Sequence, residues 1–154
     1  MNDYRELYIY IESYIKNKLS FLHDFGYDLP TINYEDYNRY SQINDMEMEF
    51  GNKQICRYFR IHYTRENGKG EITDIFRFTI HKGDGRSLIN VSDYMLFIQK
   101  QEIKYLWLNS FEGTFEEKLD QLLDYVVNIL QTYLMPVLKG EEWVDVPTNW
   151  YGAK

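Results

Sequence analysis

Between Thr114 and Gly140 the chain carries an apolar stripe too broad to be left in water, so the rest of the fold must offer it a flat surface. Phe115, Leu119, Leu122, Leu123, Val126, Ile129, Leu130, Tyr133, Leu134, Val137 and Leu138 recur at spacings of three and four, the period of a helix with one buried side. Thr114 followed by Glu117 makes a capping box: the threonine oxygen takes an orphan backbone N–H, and the glutamate reaches back to the cap. Gly140 supplies the residue that ends a helix at positive φ. Pro136 has no N–H to give the Thr132 carbonyl, which predicts a kink or early stop near Leu134, with 137–139 as a separate last turn.

The middle of the chain supplies the surface. Residues 53–66 and 69–82 are both β-patterned, and only Asn67-Gly68 separates them. Asn-Gly between such runs predicts a two-residue hairpin, because a type I′ turn needs positive φ at both central positions. That register places Glu66 opposite Lys69, Tyr63 opposite Ile72, Phe59 opposite Phe76 and Ile55 opposite Ile80. One face then collects Ile55, Phe59, Ile61, Tyr63, Ile72, Phe76, Phe78 and Ile80. The other collects Cys56, Tyr58, Arg60, His62, Thr73, Ile75, Arg77, Thr79 and His81. Arg57 and Asp74 fall on the apolar face, where a place at its rim is expected in preference to pairing with groups from the helices. Asp84-Gly85 predicts a second tight hairpin, with Ile80 opposite Ile89 and Phe78 opposite Val91. Met46, Met48 and Phe50 alternate with Glu47 and Glu49 as a short strand ending in a turn at Gly51-Asn52. After Ser92 one or two further strands are expected, Ile103, Tyr105 and Trp107 alternating, in preference to a short helix over 93–101.

Ahead of the sheet, Asn2 or Asp3 can cap a first helix whose Leu7, Ile11, Ile15, Leu22 and Phe25 keep a helical rhythm until Gly26 and Leu29-Pro30 stop it. Residues 31–44 are polar and tyrosine-rich, and their pattern leaves open a loop with a short strand or one helical turn. The apolar tail around Trp143, Val144, Val146, Pro147, Trp150 and Tyr151 is expected to fold back over an edge. The whole reads as one α+β domain over residues 1–154. Its architecture is a two-layer sandwich: an antiparallel meander of four to five strands, with the N-terminal and C-terminal helices packed on one face.

Most catalytic constellations are missing. There is no GxSxG, HExxH or phosphate-binding glycine loop. His62 and His81 share a face, but the predicted register separates them by roughly 27 Å, too far to share a metal. Cys56 is the single cysteine, expected opposite Thr79 with no base beside it; one thiol also fits a reducing, cytoplasmic setting. The N-terminal stretch lacks the basic-then-apolar pattern of a signal segment, and no apolar run is long enough to cross a bilayer. No catalytic residue, metal site or cofactor is assigned.

Charge is unevenly laid out along a chain whose net charge is −7. Residues 24–50 hold seven acids against Arg39 alone, residues 51–104 hold ten bases against six acids, and residues 105–154 hold eight acids against three lysines. Fifteen tyrosines, rings with a polar tip, accompany those acids and suit contact surfaces. The expected function is a non-enzymatic cytoplasmic binding protein that holds a basic protein partner through acidic, tyrosine-rich surfaces. The contact residues expected are Tyr34, Asp36, Tyr37, Glu47 and Glu49. The size, acidity and aromatic surplus are similar to those of small bacterial binding proteins such as immunity proteins or acidic secretion chaperones, a resemblance of composition that rests on no motif. The alternative is a small-molecule or anion-binding domain using Arg57, Tyr58, Arg60 and Arg77 on or beside the open sheet face. The acidic stretches disfavour nucleic acid, and a homodimer through that face stays open.

Overall fold

The computed structural model describes residues 4–35, 45–66, 69–101 and 108–147. Five strands, β1 (Thr31–Glu35), β2 (Asp45–Asn52), β3 (Arg57–Glu66), β4 (Ile72–Lys82) and β5 (Leu88–Asn90), lie side by side in chain order, every neighbour antiparallel. The meander follows from strict alternation: along β3 and β4 each second residue is buried, so one face must be covered and its opposite can meet water. Residues 31–44, left open by pattern alone, contribute the edge strand β1 from their first part; 36–44 lie outside the described residues.

Two helices cover the inner face. The first, α1 (Arg5–Lys18), buries Tyr8, Ile11 and Ile15 and passes through a 3-10 turn, Ser20–Phe25, to stop at Gly26. Its expected caps, Asn2 and Asp3, lie outside the described residues. The long C-terminal helix begins as α3 (Phe115–Ile129), after the short α2 (Val91–Asp93), and buries Leu119, Leu122, Leu123, Val126 and Ile129. Each such side chain contributes on the order of 1.5–3 kcal/mol of burial. The Thr114 hydroxyl accepts from the Glu117 N–H at 3.2 Å, and the Glu117 carboxylate answers the threonine hydroxyl at 3.1 Å. Inside the core, Tyr8 meets Tyr63 edge to face at 5.5 Å.

Pro136 acts as its chemistry requires, one turn earlier than a break would. Leu130–Leu134 widens into a π turn, and the helix then resumes as α4 (Met135–Leu138) with the proline in its first turn. Gly140, at φ 76°, ends it, and the Glu141 N–H donates to the Pro136 carbonyl at 2.9 Å. The break falls near Leu134 as expected, but the last turn is Met135–Leu138 and not 137–139.

Several local expectations are corrected. The β3–β4 register is shifted by four residues: Tyr63 faces Phe76, Phe59 faces Ile80 and Arg57 faces Lys82, with a bulge between Thr64 and Glu66. An even shift keeps every side chain on its face, so the two face sets survive although the pairs do not. Ile55 and Cys56 leave the sheet for the turn Lys53–Cys56, and Ile72, at the start of β4, is 47% exposed. Gly51-Asn52 is not the turn but the end of β2, paired with Tyr58 and Arg57. A Cβ on Gly51 would come within 3.2 Å of the Tyr58 ring, and the buried Asn52 amide donates to the Phe25 carbonyl at 2.9 Å.

Residues 91–98 are helical, not a strand. The Asn90 side chain accepts from the Ser92 and Asp93 N–H groups at 3.0 and 3.3 Å, starting α2, and a π turn continues it over Tyr94–Ile98. The second hairpin keeps its predicted Ile80–Ile89 pair, but Val91 turns into α2 rather than facing Phe78. The alternation expected at Ile103, Tyr105 and Trp107 lies outside the described residues.

Arg57 and Asp74 are not at a solvated rim: they are 9% and 4% exposed. Arg57 Nε donates to the Val137 carbonyl at 3.0 Å, and its guanidinium lies over Trp143 at 5.2 Å. Lys82 approaches the same indole at 4.8 Å, which pins the tail against the end of the sheet; Val144 and Val146 pack on the core behind it. Trp150 and Tyr151 lie outside the described residues. Asp74 accepts from the Tyr63 hydroxyl at 2.5 Å and from Arg65 at 2.6 Å, its backbone held at φ 47°.

Candidate partner-binding surface

The residues singled out by sequence divide between the two sides of the sheet. Glu47 and Glu49 project from β2 on the outer face, where Arg60 of β3 reaches both, its Nε 2.6 Å from Glu49 and 3.4 Å from Glu47. One guanidinium thus serves two carboxylates, Glu49 at the shorter distance, and one negative charge is left over. Tyr34 sits on the inner side of β1, stacked on Tyr8 at 6.0 Å, with its hydroxyl given to Glu12. Burial first, and then that carboxylate, push its phenol up to about 12. Asp36 and Tyr37 lie outside the described residues.

The four residues of the anion-binding alternative do not converge. Arg57 is spent on the Val137 and Glu142 carbonyls beneath the sheet, and Arg60 is held by two carboxylates above it. Tyr58 faces His81 across the strands, not Arg77, and its ring lies against Gly51. Arg77 is exposed and, among the described residues, has no ion-pair partner.

The true register also moves the histidines. His62 faces Arg77, so His81 is four residues away along β4, roughly 14 Å and not 27 Å, still too far to share an ion. His62 instead meets the buried Asp45 at 2.8 Å. Among the described residues no group of three His, Cys, Asp or Glu side chains is placed to hold a metal. Cys56 sits exposed in the β2–β3 turn, and Thr79, its expected partner, faces Arg60.

Tyrosine and acid do meet elsewhere, along the seam between α1 and α3. Tyr10 and Tyr14 stand 5.6 Å apart on α1, with Tyr10 38% exposed. The Tyr14 hydroxyl donates to Glu116 at 3.2 Å. Desolvation in the seam, and then the Glu116 carboxylate, raise both phenols above their ordinary value. Lys18 reaches Asp120 and Asp124, each at 2.7 Å, and is raised by those two bonds. Tyr10, Ser13, Tyr14, Asn17, Lys18 and Asp120 line an open cleft of about 390 Å³.

Sequence reasoning marks the acidic first half of the last helix, Glu116 to Asp124, as able to meet a partner, but not the seam it forms with α1. Residues 10, 13, 14 and 17 follow a helical spacing along α1 beside the stripe of Ile11 and Ile15, with Lys18 at the boundary, and Glu116, Asp120 and Asp124 follow one on α3. What the sequence does not carry is that the two stripes share one seam. No helix among the described residues is long and apolar enough to cross a membrane. Comparison with protein-family models, with curated proteins and with solved structures finds no match.

Proposed function

We propose that this protein is a non-enzymatic binding module that holds a basic protein partner, and that the α1–α3 seam is its principal contact. One observation carries the reading: the exposed Tyr10 and the half-buried Tyr14, rings 5.6 Å apart, line a cleft with Asp120, and the Tyr14 hydroxyl donates to Glu116. Tyrosine offers large contact area at low conformational cost, and its ring face attracts a cationic side chain. Among the described residues Lys18 alone pairs with Asp120 and Asp124, and Glu116 adds a third acid, so the patch stays negative. A negative surface speeds encounter with a positive partner and opposes phosphate backbones. Neutralising or chaperoning a basic protein in a reducing cytoplasm is the corresponding role, a lone exposed thiol being compatible with it. The anion-binding alternative has less support, because Arg57 and Arg60 are already engaged.

The test is capture from native cell extract at low and high salt, using wild type, a Tyr10→Ala/Tyr14→Ala variant and a Glu47→Lys/Glu49→Lys variant. The expected result is one salt-sensitive basic protein, held about tenfold or more less tightly by the seam variant and little changed in the sheet variant. An acidic or nucleic-acid partner, or capture indifferent to both tyrosines, overturns the reading.

A further inference from the structure

The outer sheet face carries its charges in an order that a second copy of the chain would complete. Asn33, Glu47, His62 and Arg77 form one row, directly opposite one another across β1, β2, β3 and β4. On the β2 side the acids are in surplus, for Glu47 and Glu49 share the single cation Arg60. On the β4 side the surplus is basic, for Arg77 is exposed with no ion-pair partner among the described residues. Two strand spacings, roughly 10 Å, separate the excess carboxylate from the excess guanidinium. His62 lies midway and is tied to Asp45 at 2.8 Å.

A two-fold axis running along the strands above His62 exchanges those two positions. Glu47 of each copy then lies over Arg77 of the other, and the contact is made twice, as an isologous interface requires. An axis across the strands would set Glu47 over Glu47 and is excluded by repulsion. We infer that the outer sheet face is a self-complementary interface through which two copies pair sheet to sheet, fixed by reciprocal Glu47–Arg77 ion pairs. Aligned sheets cross at about 30°, which also displaces Arg60 from its own copy, and Glu49 holds Arg60 down toward β2 at 2.6 Å. The interface lies on the far side of the sheet from the α1–α3 seam, so it leaves the proposed partner contact open and stands or falls independently of it.

Charge exchange tests the pairing. Sedimentation velocity over a micromolar-to-millimolar series should show wild type dimerising, less so at high salt. Arg77→Glu and Glu47→Arg should each sediment as monomers, since each sets like charges together twice. An equimolar mixture of those two variants should dimerise again, because both contacts become opposite in sign. The double variant Glu47→Arg/Arg77→Glu should dimerise alone for the same reason, and it serves if either single variant loses its fold. A wild type that stays monomeric throughout overturns the inference. So does a dimer indifferent to the single reversals, or a mixture and double variant that both remain monomeric.

Discussion

Arg57 Nε donates to the Val137 carbonyl at 3.0 Å, so the first residue of β3 closes the last turn of the C-terminal helix. A second nitrogen of the same guanidinium reaches the Glu142 carbonyl at 3.4 Å, beyond the Gly140 stop. The end of a helix leaves carbonyls without donors, and a buried one is costly unless something reaches it. Here a strand residue does so, and the positive charge also suits the helix C-terminus.

Replacing Arg57 with alanine should therefore destabilise the fold by about 2–3 kcal/mol, through unsatisfied carbonyls and lost packing on Trp143. Arg57→Lys should recover less than half, because one ammonium cannot serve carbonyls that a forked guanidinium spans. Urea denaturation measures both. A cost below about 0.5 kcal/mol for Arg57→Ala would place the residue at an ordinary surface site and sink the capping role.

Arg57 also marks where sequence stops being informative. The alternation of β3 and β4 fixed which residues face inward, and every one from Phe59 to Tyr63 on that parity is fully buried. Parity is blind to shifts of two or four residues, so the Asn67-Gly68 signal was free to set the wrong partners. The competing demand came from the other end of β3, where Lys53–Cys56 must turn the chain from β2. The last helix was legible because its stripe is long and its cap local. The seam was not, because which helix faces lie together is set by packing and not by either stripe. Arg57 and Asp74 looked misplaced on an apolar face for different reasons: the carbonyls that Arg57 reaches are 80 and 85 residues away, whereas Tyr63 and Arg65 meet Asp74 from the neighbouring strand only in the shifted register.

Alkali should find the second buried network. The Tyr63 hydroxyl donates to Asp74 at 2.5 Å, and Arg65 meets the same carboxylate oxygen at 2.6 Å. Burial, then the bond and charge of Asp74, push the Tyr63 phenol far above its ordinary value. Burial likewise raises Tyr8 and Tyr27, the latter donating to the Leu138 carbonyl at 2.6 Å. The fold thus holds these groups protonated. Their contribution is complete below the unfolded value of about 10 and is lost as pH climbs beyond it toward the raised values. Stability should fall steadily above about pH 10. Ultraviolet difference titration should show the exposed tyrosines ionising first and the buried ones only with unfolding. Tyr63→Phe should cost about 1–2 kcal/mol at neutral pH and flatten the alkaline decline. A decline of unchanged slope in that variant would remove Tyr63 from the explanation.

Gly140 offers a test of how the turn before β3 and the end of the last helix are fitted together. Its φ is 76°, and an added Cβ would stand 3.0 Å from Ile55 Cβ and 3.3 Å from two further Ile55 carbons. Gly140→Ala therefore meets two separate costs, a left-handed backbone that alanine resists and a collision with a β-branched neighbour. Together they should destabilise by about 1–2 kcal/mol. The two can be separated by a double-mutant cycle with Ile55→Gly, because alanine would keep the Cβ that stands 3.0 Å away. Shortening Ile55 removes the collision but not the backbone cost, so Gly140→Ala should be milder in that background by about 0.5–1 kcal/mol. Gly140→Asn adds a useful arm, since asparagine tolerates the left-handed region but still carries a Cβ. It should resemble alanine while Ile55 is present and be clearly the better tolerated once Ile55 is shortened. If the cycle shows no coupling, the close approach of Ile55 to Gly140 does not constrain the fold, and the backbone angle alone accounts for glycine at this position.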